Sequence, residues 1–77
     1  MAFDDGRNRV LLSLRDRPEG ADNSSLIETL GLSGEMVERH LLYCADYGLA
    51  TRTRHRSASR LAVITARGRD YLVRQGL

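Results

Sequence analysis

Apolar residues in the first two thirds of the chain recur at the three- and four-residue spacing of an α-helix, and after Gly48 the spacing changes to two. In "FDDGRNRVLLSLRDRPEG" the residues Val10, Leu11 and Leu14 share one helical face. Asp4 and Asp5 lie in the first turn, where the helix dipole favours anions, and Pro18 and Gly20 stop the helix. "NSSLIETLGL" predicts a short second helix with Asn23 or Ser24 as its cap, Leu26, Ile27 and Leu30 facing inward, and Gly31 in the closing left-handed turn. "LSGEMVERHLLYCADYGLA" predicts a third, capped by Ser33, carrying the stripe Val37, Leu41 and Cys44 and ended by Gly48. Beyond it, "LATRTR" alternates and "RLAVI" follows after the polar, turn-like "HRSAS", which together predict a β-hairpin. "TARGRDYLVRQ" then reads as a last helix, capped by Thr65, with Tyr71 and Leu72 inward.

The order is helix, helix, helix, hairpin, helix, a mostly α member of the α+β class. No internal repeat or linker interrupts it, so residues 1–77 are expected to form a single domain, near the lower size limit for a self-sufficient core. An apolar fraction of 42% is enough for a compact fold and argues against a disordered tail. No apolar run approaches the roughly 20 residues of a membrane span. "MAFDDGRNRV" has no apolar core of a secretory signal, and the single cysteine, Cys44, permits no internal disulfide. These features predict a cytoplasmic protein with no membrane partner.

Charge changes the picture more than composition does. The formal net charge is +2, yet residues 1–48 hold five arginines against nine carboxylates, and residues 49–77 hold seven arginines against Asp70 alone. The densest basic stretch is "TRTRHRSASR", with four arginines, one histidine and no carboxylate in ten residues. Such a segment has the field to attract a polyanion, although arginines on a hairpin also solvate it and guard its edge. All twelve basic residues are arginine, whose fork suits phosphate and carboxylate; a GC-rich genome gives the same bias.

The residues Leu30, Gly31, Leu32, Ser33, Val37, Arg39, His40, Leu41, Gly48 and Leu49 resemble, in type and order, the helix-turn-helix core of winged-helix proteins of the ArsR and MarR type. Ile64, Thr65 and Gly68 resemble the strand-to-helix junction of the same proteins. The resemblance covers roughly residues 7–75. It implies a winged helix: three helices, a two-stranded hairpin wing and a C-terminal helix. It also implies a small DNA-binding protein, a transcriptional regulator of bacterial, plasmid or phage origin, with duplex DNA as its partner. The third helix would enter the major groove with Ser33, Gly34, Glu35, Met36, Glu38, Arg39 and Leu42 toward the bases. The wing residues Arg52, Arg54, His55, Arg56 and Arg60 would meet phosphates or a narrow minor groove.

Two glutamates beside Arg39 are a poor electrostatic match to a polyanion, although a glutamate can accept from a cytosine amino group. They leave open a second reading. In it the chain is a protein-interaction module, such as a phage-encoded inhibitor or adaptor, that sets its basic wing against an acidic or nucleic-acid-binding protein surface. His40 reads as a helix-surface or half-buried residue, Cys44 as a buried core thiol, and Tyr43 and Tyr47 as a core or dimer-interface pair. Cys44 and His40 are four apart on one helix but have no visible orienting partner, so no enzymatic activity is expected. One cysteine and two histidines give no metal-ligand spacing, so no metal and no cofactor are expected. Phe3, Val10, Tyr47, Tyr71 and Leu72 exceed what a three-helix core absorbs, which predicts a homodimer.

Overall fold

The computed structural model describes residues 2–54 and 60–77, and the side chains of these except at residues 2–4 and 54. The expected turn "HRSAS", with His55 and Arg56, therefore lies outside the described residues, as do the side chains of Phe3, Asp4 and Arg54. The elements are α1 (Ala2–Arg15), α2 (Asn23–Leu30), α3 (Gly34–Asp46), β1 (Ala50–Arg54), β2 (Arg60–Ile64) and α4 (Ala66–Arg74), in the predicted order. The strands pair antiparallel, Ala50 opposite Ile64 and Arg54 opposite Arg60. None of these helices is long and apolar enough to cross a membrane.

The predicted helical faces meet in one core. Val10, Leu11 and Leu14 of α1, Leu26 of α2, Val37, Leu41 and Cys44 of α3, and Leu72 of α4 are all fully buried, with Ala50, Ala62 and Ile64 closing the core from the hairpin. Ile27, Leu30 and Tyr71 pack at its margin. Val10 and Leu72, expected to be left over for a partner, are absorbed by this core. The miscount arose because the hairpin adds a fourth wall to the three helices.

Two local features differ from expectation. The cap of α2 is Asp22, whose Oδ1 accepts from the Ser25 backbone N–H at 2.8 Å, and not Asn23 or Ser24. Ala21 explains the shift: its N–H and carbonyl exchange hydrogen bonds with Ala62, at 3.0 and 2.9 Å, as a one-residue third strand beside β2. The chain is thus still extended at Ala21 and turns into helix only after Asp22.

His40 is the second difference. It is wholly buried, not at the surface. Gly6 of α1 makes the space: a β-carbon at that position would stand 2.5 Å from Nε2 of His40. Burial, and next the Arg7 guanidinium, hold the imidazole below its ordinary pKa of 6.5. The neighbouring Cys44 thiol is buried as expected and is pushed up to about 11 by that burial.

The hairpin is locked to the helices through its last residues. Thr65 caps α4 by accepting from the Gly68 N–H at 3.0 Å, and its hydroxyl donates to the Gly48 carbonyl at 2.6 Å. The Thr65 N–H donates to the Leu49 carbonyl at 3.1 Å. Gly68 lies so close under that carbonyl that a β-carbon would collide with it and with Ile64. The threonine–glycine spacing in "ITARG" thus joins the end of the wing to the end of α3.

Candidate nucleic-acid interface

The candidate interface is built on α3 and the hairpin beside it. Ser33 caps α3 with its hydroxyl, which accepts from the Met36 N–H at 3.2 Å, and Glu35 sits in the first turn, where the dipole favours a carboxylate. Val37, His40, Leu41 and Cys44 fix one side of α3 in the core. The opposite side is left outward, with Gly34, Glu35, Arg39 and Leu42 exposed and Met36 and Glu38 half-buried. Arg39 and Glu35 approach each other to 3.8 Å one turn apart, with 64% and 79% of their side chains exposed. That pair is weak and free to rearrange.

Glu38 and Arg52 behave differently. Arg52 does not project from the wing as a phosphate contact would. Its side chain is only 10% exposed, and both terminal nitrogens donate to Glu38, Nη1 to Oε2 at 2.7 Å and Nη2 to Oε1 at 3.0 Å. Glu38 also accepts from Asn23 Nδ2 at 2.9 Å. These hydrogen bonds, Arg52's first, hold the Glu38 carboxyl below its ordinary 4.5. Strand alternation is the cause: with Ala50 buried and Thr51 and Thr53 exposed, Arg52 falls on the inner face of β1. Of the expected wing residues, Arg60 is exposed at the outer end of β2. Glu38 therefore does not stand as a lone carboxylate on the outward face, and the electrostatic objection to a polyanion partner shrinks to Glu35.

A second cluster lies at the other end of α3, where the expected pair Tyr43 and Tyr47 is joined by Arg7, which the sequence did not single out. Arg7 is nearly buried, with its guanidinium carbon 4.8 Å from the Tyr43 ring centre and 5.4 Å from that of Tyr71. It donates to the Tyr71 hydroxyl at 2.8 Å, and that hydroxyl donates to Asn8 Oδ1 at 2.8 Å. Tyr43 stacks on Tyr47, ring centres 4.4 Å apart, beside a cleft of about 270 Å³ that Arg67, Asp70 and Arg74 complete. Nothing in the spacing of Arg7 announced this, since its partners come from α3 and α4. Among the described residues no three His, Cys, Asp or Glu side chains come together as metal ligands.

No protein-family model matches the chain, and comparison with curated proteins finds no match. Solved structures do match. The PcaV transcriptional regulator from Streptomyces coelicolor aligns with a TM-score of 0.83 at 24% identity over 91% of this chain. A MarR-family transcriptional regulator from Rhodococcus sp. RHA1 aligns with 0.81 at 24% over 88%. The transcriptional repressor CouR, solved on a 23-mer DNA duplex, aligns with 0.75 at 33% over 84%. The chain spans about half the length of each, 50%, 49% and 46% respectively. The fold is a winged helix resembling that of MarR-type regulators.

Proposed function

We propose that residues 1–77 form one winged-helix module that binds duplex DNA and serves a transcriptional regulator, without enzymatic activity of its own. The observation that carries this reading is the arrangement of α3 and the hairpin. A capped helix is fixed in the core by one side and left open on the other, with a basic hairpin held beside it. The likeness to a repressor solved on duplex DNA supports the same reading. In it, Ser33, Glu35, Met36 and Arg39 lie toward the major groove, Glu35 able to accept from a cytosine amino group. Arg54, His55, Arg56 and Arg60 lie toward the backbone or minor groove. Phosphate contacts of this kind supply most of the affinity and set its salt dependence.

A single such module buries only roughly 600–1,000 Å² on DNA, so we further propose that the chain acts as a homodimer. The protein-interaction reading drew on two free carboxylates, and the pairing of Glu38 with Arg52 removes one of them. The test is a gel shift of wild type against the variant Arg54→Gln/Arg56→Gln/Arg60→Gln. The wild type is expected to shift random duplex at low salt and the variant to lose most of that shift at every sequence, its salt slope reduced by about one unit per contact removed. Equal binding by the two proteins would rule out the wing assignment.

A further inference from the structure

We propose that Glu38, Arg52 and Asn23 form a positioning clasp that fixes the inclination of the hairpin to the recognition helix. The base of the hairpin is held by the core through Ala50, Ala62 and Ile64. Arg52 lies two residue pairs out from Ala50 and Ile64, on the same face as Ala50 and opposite Ala62. Its guanidinium is gripped at both ends by the Glu38 carboxylate, and its Nη2 lies 3.5 Å from Asn23 Oδ1. Three elements meet there: the first turn of α2, the middle of α3 and the middle of β1. A planar guanidinium in a two-point grip has one orientation, which a single hydrogen bond or a lysine would not impose.

The contrast with the other arginine–carboxylate pairs of the described residues decides the role. Arg39 and Arg74 pair with carboxylates one turn away on their own helices and are 64% and 78% exposed. Those pairs tie nothing to anything else. Among the described residues the Glu38–Arg52 ion pair is the shielded one, and it spans separate elements. Removing either partner leaves the other charge half-buried and uncompensated. Arg52 contributes to DNA binding through Glu38 and not by touching phosphate, and Glu38 contributes through Arg52 and not by reading a base. The clasp itself is a property of the free protein; its effect on DNA rests on the function proposed above.

Residual dipolar couplings of the free 77-residue chain test the clasp directly, beside duplex affinity measured at several salt concentrations. In wild type the amides of α3 and of the hairpin should fit one common alignment. In Glu38→Gln, where the amide nitrogen faces the guanidinium, the hairpin couplings should shrink while those of α3 hold. Duplex affinity should fall by about tenfold at all sequences with an unchanged salt slope, because no phosphate contact is lost. The exchange Glu38→Arg/Arg52→Glu should restore the couplings and the affinity. Unchanged hairpin couplings in Glu38→Gln would overturn the clasp. So would a salt slope lowered by about one unit in Arg52→Gln with the geometry intact, a loss confined to one base pair, or a rise in affinity at all sequences. If wild type ignores duplex DNA while the couplings respond as described, the clasp stands and the DNA reading fails.

Discussion

Arg52 and His40 show how far one residue's surroundings can depart from its type. An arginine in a basic stretch reads as exposed, and a histidine beside Arg39 reads as surface. The period of two would have turned Arg52 inward once Ala50 was placed in the core; the run of arginines drew attention to charge and away from alternation. His40 was legible only in combination, because the space it fills is left by Gly6, thirty-four positions away. Its burial has a consequence with a definite sign. The folded chain disfavours the imidazolium, so the stability due to a neutral His40 is fully present above the ordinary value of 6.5 and is lost as pH falls from there toward the lower folded pKa. The urea midpoint is therefore expected to drop between about pH 7.5 and about pH 5.5, and the drop to vanish in a His40→Asn variant that folds. Asp22 and Glu38 do not interfere in that window. Their pKa values are lowered from 3.8 and 4.5, so their contribution is lost only below those values. A flat wild-type midpoint would contradict the neutral, buried His40.

Among the elements, the helices were the most readable, because long apolar stripes at a fixed period leave few alternatives. The caps Ser33 and Thr65 were legible as hydroxyls before apolar runs. Asp22 was not, because its role depends on Ala21 pairing with Ala62, and a one-residue strand carries no pattern. The crossing of α2 and α3 can be tested at Leu41, which is fully buried. Leu41→Ala is expected to cost roughly 2–5 kcal/mol of unfolding free energy in urea, and a cost below about 0.5 kcal/mol would show that Leu41 does not face the core. The junction between wing and α4 has its own test. Gly68→Ala places a methyl against the Leu49 carbonyl and Ile64, and is expected to cost at least roughly 1–3 kcal/mol, as overpacking does. Gly76→Ala is the comparison, since a β-carbon there meets nothing within 4 Å, although its φ of +78° carries its own strain.

For the molecule as a whole, the asymmetry of charge survives in the fold, with the basic half forming the hairpin and α4. The surplus of apolar groups largely does not, because Val10 and Leu72 are buried within the chain; among the described residues the exposed large ones are Leu42, Tyr47, Val73 and Leu77. The homodimer proposal now rests on these and on the small footprint of one module. Sedimentation equilibrium at micromolar concentration is expected to give twice the 8.6 kDa chain mass, and a single chain at that concentration would reject it. The proposed DNA partner follows from the fold, since the outward face of α3 holds too few charges to name a partner alone. The most direct test of the central claim is the anisotropy of a labelled random duplex titrated with the wild-type chain, at about 50 mM and about 200 mM salt. Winged-helix binding through phosphate contacts predicts saturable binding at the lower concentration that weakens steeply at the higher. No change in anisotropy at the lower salt would contradict it.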